Sequence, residues 1–267
     1  MAAVVGMAMA VLVSAAMADW NLGDPYKMHF PQLPDPLGWD VSGENARGGD
    51  DWVCTQTGPV SDIHLWVSWR DDNYDGMVTN FTFSIWSNDP VGNTGQPYED
   101  PSNNFSKPLE QLWSYSFDPE TDPNFTHRVY GTGLQGWYDP AAVPPLYLYE
   151  NHNVIYQGNL TNIAEPFIQQ QGEIYWLVAD IDMAEGETAG LGWKTADLGQ
   201  YPDAYTGSIF MDGAVYDVGS VGNWMPLMDP SGAPMDLAFV ITPEPATMAL
   251  MGIGLAVLVA RRRSRKS

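Results

Sequence analysis

Apolar and polar residues alternate along much of this chain with the period of two that marks a half-buried β-strand. In Ile63-His64-Leu65-Trp66-Val67-Ser68-Trp69-Arg70, positions 63, 65, 67 and 69 are apolar and 64, 68 and 70 polar, with Trp66 interrupting the polar side. The pattern predicts that Ile63, Leu65, Val67 and Trp69 face a core and that His64, Trp66 and Ser68 face away from it. Thr79 to Trp86 repeats the logic, with Phe81, Phe83 and Ile85 opposed to Asn80, Thr82 and Ser84. Ile174 to Ile181 is apolar on both faces, as expected of a central strand, and Leu237 to Ile241 reads the same way. Turn-forming clusters such as Asn88-Asp89-Pro90 and Asp118-Pro119-Glu120-Thr121-Asp122-Pro123 punctuate these runs. The sequence holds no long amphipathic helical pattern and no repeat of fixed period. Short strands divided by turns predict an all-β fold, and a single jelly-roll-like β-sandwich suits the length best.

Residues 19–49 break the alternation. Pro25, Pro31, Pro34, Pro36 and Gly38 interrupt them, and an extended arm is expected, held on the surface by Trp20, Tyr26, Phe30 and Trp39. The sandwich itself is expected over 50–242.

The two ends differ from the body. Met1 to Ala18 carries no charged side chain and closes with Ala16-Met17-Ala18 before Asp19, which predicts a signal peptide over 1–18 cut by signal peptidase. No Lys or Arg precedes the apolar run, a departure from the usual signal. At the far end, Thr242-Pro243-Glu244-Pro245 is followed by an uncharged stretch from Ala246 to Ala260, then by Arg261-Arg262-Arg263-Ser264-Arg265-Lys266. As a single apolar helix this stretch reaches roughly 22 Å, short of a ~30 Å hydrocarbon core. Snorkelling arginines or local thinning close the gap. The basic cluster stays cytoplasmic under the positive-inside rule, so the body lies across the membrane.

This layout resembles the PEP-CTERM sorting signal of exported bacterial proteins, over 243–267. Pro243, Glu244 and Pro245 match its motif, and Arg261, Arg262 and Arg263 its basic tail. The resemblance implies recognition and cleavage by an exosortase, after transient tethering in the cytoplasmic membrane. It also implies delivery to the outer envelope, the cell surface or the extracellular space.

Charge narrows the partners. Five of the eleven basic residues lie in the tail, and Glu244 is the one acid there. The segment from Asp19 to Thr242 therefore holds six basic and 32 acidic residues, a formal charge near −26. Such a body repels nucleic acid and anionic lipid and attracts divalent cations. Cys54 is the sole cysteine, so no internal disulfide is available, and its strand-like setting reads as a small buried hydrophobe.

A second resemblance spans nearly the whole body. Gly49-Asp50-Asp51-Trp52-Val53-Cys54, Gly58-Pro59-Val60-Ser61-Asp62-Ile63-His64-Leu65-Trp66 and Gly136-Trp137-Tyr138-Asp139-Pro140 contribute to it. Pro166-Phe167-Ile168-Gln169, Gly172-Glu173-Ile174-Tyr175-Trp176-Leu177, Gly192-Trp193-Lys194-Thr195 and Asp236-Leu237-Ala238-Phe239-Val240-Ile241 complete it. The set is similar to an uncharacterised family of secreted bacterial PEP-CTERM proteins with an all-β domain. It implies no activity.

Chemistry is left to individual residues. Asp71, Asn73 and Asp75 alternate ahead of Gly76, and the carbonyl of Met77 supplies a further oxygen, which copies the first half of an EF-hand calcium loop. Thr82 stands where that loop needs a bidentate Glu, so an Asp/Asn-rich hairpin turn is the competing reading. Trp66, Trp86, Trp137 and Tyr138 are candidates for a face that stacks on sugar rings, with extracellular polysaccharide as the partner. The competing reading covers that face with the arm or long loops. The four histidines follow no catalytic spacing, and neither a nucleophile elbow nor a His-Glu-x-x-His zinc site occurs. No catalytic residue is named, and a non-catalytic envelope or matrix role is expected.

Overall fold

The computed structural model describes residues 19–243 except 45, 75–76, 91–104, 185–189, 198, 200–212 and 220–221. The signal-peptide expectation and the apolar helix from Ala246 both lie outside these residues. Among the described residues the fold is all-β, and no helix is long and apolar enough to cross a membrane.

One six-stranded sheet runs in the order β11 (Leu191–Lys194), β1 (Trp39–Ser42), β7 (Phe125–Asp139), β8 (Leu146–Leu160), β4 (Asp62–Trp69), β14 (Phe239–Thr242). The other runs β13 (Met225–Pro226), β12 (Val215–Val218), β2 (Ala46–Val53), β10 (Ile174–Met183), β5 (Val78–Asp89), β6 (Lys107–Phe117). A short ribbon joins β3 (Gly58–Val60) to β9 (Phe167–Gln169). One apolar core draws on both sheets, including Leu65 and Val67 of β4, Phe81 and Phe83 of β5, and Leu177 of β10.

The first sheet closes on itself. On one edge of β4, β14 pairs with residues 62–65 and β11 takes over at 67–69. Because β11 also pairs with β1, the strands β4, β8, β7, β1 and β11 complete a ring. This small barrel is a feature that strand alternation alone does not signal, since closure depends on which edges meet.

Leu65, Val67 and Trp69 share one face of β4 and line one cleft together with Val78 and Phe81 of the other sheet. The face expected to point away from a core is enclosed as well: His64, Trp66 and Ser68 are all buried, and Trp66 joins the same apolar core. Strand β10 is central, flanked by β2 and β5. Strand β14 is buried on both faces yet, among the described residues, has only β4 as a strand partner. Its other edge is taken by the N-terminal arm, where Lys27 N–H donates to Ile241 O (2.8 Å) and Gln32 N–H to Phe239 O (3.2 Å). Backbone that offers no free edge resists pairing with other chains.

Two sequence expectations need correction. The arm ends near Gly38, because β1 and the first four residues of β2 fall within 19–49. Glycines 48 and 49 and the lone Arg47 hide that strand from a hydrophobic alternation test. Nor do β4 and β5 form a hairpin; they belong to different sheets, and the crossing segment leaves β4 through a 3₁₀ turn at Arg70–Asp72.

Candidate functional site

The crossing segment is tied to β8 through Asp71 and Asp72. Asp71 and Asp72 adopt positive φ (58° and 49°), a conformation that short polar side chains tolerate. Asn151 Nδ2 donates to Asp71 Oδ1 (2.6 Å), and Asn151 Oδ1 accepts from Asp71 N–H (3.0 Å). Asp72 accepts from the N–H groups of Asn153 and Val154 (both 3.0 Å), bonds that hold its carboxyl below the ordinary range against a burial effect that pushes upward. The carbonyl of Met77 accepts from Ala184 N–H (2.9 Å). Of the calcium candidates, Asp71, Asn73 and Met77 are thus described and Asp75 lies outside the described residues. Among the described residues, no group of three or more metal-ligating side chains gathers.

The open aromatic face expected from Trp66, Trp86, Trp137 and Tyr138 is not what the fold builds. Trp66 is fully buried, its ring edge-on to Trp20 of the arm (6.1 Å) and to Tyr130 (5.3 Å). Trp137 is buried over Gly190 and Gly192, where a Cβ on either glycine would come within 2.8 Å of the indole. Tyr138 stacks on Tyr147 at 4.3 Å and is buried too. Only Trp86 keeps partial exposure, on the outer face of the second sheet, where the Arg47 guanidinium lies between Trp86 (5.3 Å) and Trp224 (4.9 Å). Asp217 holds that guanidinium at 2.8 Å. Both outward faces carry cover, which is the competing reading that parity could not separate.

Inside the ring of strands sits a polar cluster. Ser68 of β4, Gln135 of β7, His152 of β8, Asp40 of β1 and Lys194 of β11 are each fully buried, one from every strand of the ring. Asp40 Oδ2 contacts His152 Nε2 at 2.8 Å and accepts from Lys194 Nζ at 3.0 Å. Ser68 Oγ donates to Gln135 Oε1 at 3.1 Å. Strands β1 and β8 are not neighbours, and neither are β4 and β7, so the Asp40–His152 and Ser68–Gln135 contacts cross the lumen. Lys194 Nζ also donates to Trp39 O (3.2 Å), while Asp40 Oδ1 is buried without a hydrogen-bond partner. The second ring nitrogen of His152, Nδ1, lies 3.1 Å from Asn151 Oδ1, which links the lumen to Asp71 on the surface.

A separate cleft of about 220 Å³ opens between the two sheets beside the crossing segment. Leu65, Val67, Trp69, Phe81 and Phe125 form its apolar wall, and Tyr74 and His127 stand among its polar groups. Burial, Tyr156 and Asp72 together push the Tyr74 phenol up.

Residues 28–242 match the family model described as a domain of unknown function, DUF7901. The chain belongs to the DUF7901 family. A second match, to the PEP-CTERM protein-sorting motif, covers residues 242–264. The motif marks the protein as exosortase-sorted and exported to the cell envelope or surface. No curated protein matches the chain, and no solved structure does. The DUF7901 domain and the sorting motif meet at Thr242, the last residue of β14, which pairs with Asp62. Of the motif residues, Pro243 is described, whereas Glu244, Pro245, Arg261, Arg262 and Arg263 lie outside the described residues.

Sequence reasoning missed the lumen of the DUF7901 domain. Asp40 and His152 stand 112 positions apart and Asp40 and Lys194 stand 154 apart. The one local signal was a lysine inside an otherwise apolar Gly192-Trp193-Lys194 strand, where a buried charge requires a partner.

Proposed function

We propose that the protein is a non-catalytic structural component of the envelope or extracellular matrix, delivered through a removable C-terminal sorting tail. The body is read as a β-sandwich, jelly-roll-like in its layering, with one sheet rolled into the barrel. The observation that carries the reading is the junction at Thr242, where the sorting motif begins as the last strand ends. Cleavage beyond it leaves every described strand whole. Burial of Asp40, His152 and Lys194 within the ring supports a structural rather than a catalytic part for those groups.

In a host with an exosortase, intact-mass analysis is expected to find the exported protein without Ala246 to Ser267, and replacement of Pro243, Glu244 and Pro245 by Ala should hold the chain in the membrane fraction. A tail retained on all exported protein would overturn the sorting route. Co-sedimentation of the exported protein with isolated matrix tests the structural role, and protein wholly free of matrix would count against it. Carbohydrate recognition is the alternative, and burial of Trp66, Trp137 and Tyr138 weighs against it; retardation in polysaccharide gels would restore it.

A further inference from the structure

We infer that Asp40 and Lys194 are the two halves of an internal amide cross-link that forms within the folded chain. The two residues are direct partners across the β1–β11 ladder, and their side chains meet inside the ring with Nζ 3.0 Å from Oδ2. Neither side chain is accessible to solvent. The first step that the amide requires is the passage of one proton from Lys194 Nζ to the Asp40 oxygen it already touches. That transfer leaves a nucleophilic nitrogen beside an electrophilic carboxyl carbon, with the encounter supplied by the fold.

The two oxygens of Asp40 are already differentiated. Oδ2 is engaged by Lys194 and by His152 Nε2 (2.8 Å), whereas Oδ1 is buried without a partner. The lone pair of Nζ forms the new C–N bond to Cγ, and the Cγ–Oδ2 bond breaks with its electron pair leaving on oxygen. Of the three ammonium protons, one remains on the amide nitrogen and two depart with Oδ2 as water. His152 is placed to carry the second of these protons from nitrogen to the leaving oxygen. Oδ1 becomes the amide carbonyl. The balance is one ammonium plus one carboxylate to one amide plus one water, with no oxidant, reductant or co-reactant. The Trp137 ring stands 6.2 Å from the His152 ring and helps to close the lumen against hydrolysis.

The product would join residue 40 to residue 194 covalently, in a chain whose single cysteine permits no internal disulfide. That suits a protein exported to a surface, where a disulfide-like staple serves stability.

Peptide mapping of the purified exported protein decides the matter. Trypsin cuts after Lys27 and Arg47, releasing the segment that bears Asp40, and ordinarily also cuts after Lys194. The expected result is a branched species that contains both segments, uncut at Lys194 and lighter than their sum by one water. Lys194→Arg, which keeps the charge but cannot form the amide, should give the two segments separately. Hydroxylamine distinguishes the amide from a succinimide at Asp75-Gly76 or Asp212-Gly213, which has the same mass deficit but reopens. Full cleavage after Lys194 in the parent, or a deficit located at those Asp-Gly pairs, would overturn the proposal even if Lys194→Arg failed to fold.

Discussion

Trp66 and Trp69 stand three residues apart on β4 and occupy opposite faces, yet the ring on the face turned away from the other sheet is the better buried of the two. Trp66 is wholly enclosed, while Trp69 is only partly buried where it borders the open cleft. A cavity left in a sealed site costs more than one that can fill with water or collapse into a cleft. Trp66→Ala is therefore expected to lose on the order of 3–5 kcal/mol, and Trp69→Ala clearly less. The Trp66 indole N–H lacks a hydrogen-bond partner, which offsets part of the ring's contribution and favours the lower end of that range. Chemical denaturation of both variants checks the order, and a greater loss for Trp69→Ala would refute it.

At the scale of elements, the arm does the work of two missing pieces of sheet. Residues 27–32 supply backbone partners along the free edge of β14, and Trp20 packs edge-on against the Trp66 ring of β4. The arm is anchored at its start, where the Trp20 carbonyl accepts from Gln157 Nε2 (2.8 Å) and from Arg128 Nη2 (3.0 Å). If Trp20 exists chiefly to seal Trp66, the two rings must be energetically coupled. A double-mutant cycle of Trp20→Ala and Trp66→Ala is expected to show a coupling of about 0.5–3 kcal/mol, since neighbours in contact are not additive. Additive losses would mean that the arm merely lies over the sheet.

Across the whole molecule, pH dependence follows from what the fold buries. Burial depresses His29 and His64 from 6.5 to about 4 each. The unfolded chain then binds protons between those values that the folded chain refuses, so stability falls as pH drops from 6.5 towards 4. Asp50 acts in the opposite sense. Burial, then the nearby Asp236 and Asp51, raises its pKa well above the usual range. Its contribution is present at low pH and is lost as pH rises through the folded value. Comparing a single variant with the parent separates the two. His64→Gln retains hydrogen-bonding groups towards Asn159 and Thr242, whose contacts with His64 measure 2.7 and 3.3 Å. Between pH 7 and pH 5 the parent should lose about 2 kcal/mol more than this variant. Denaturant melts at the two pH values test this, and equal losses would exclude His64 as the source.

Strand content, strand faces and the sorting tail were legible along the chain, because each rests on neighbours within about ten residues. Alternation at 63–69 put Leu65, Val67 and Trp69 on one face of β4, and the ordered proline, apolar and basic segments after Thr242 announced their own route. What lies opposite an outward face has no local signature. Trp66 reads the same whether solvent or Trp20 covers it, and only the path of the arm decides. Closure of the ring likewise depends on β11 meeting both β1 and β4, and through it Asp40, His152 and Lys194 become neighbours. Their chemistry comes from contacts inside that ring, and contact between residues as far apart as Asp40 and His152 or Lys194 is set by tertiary structure alone.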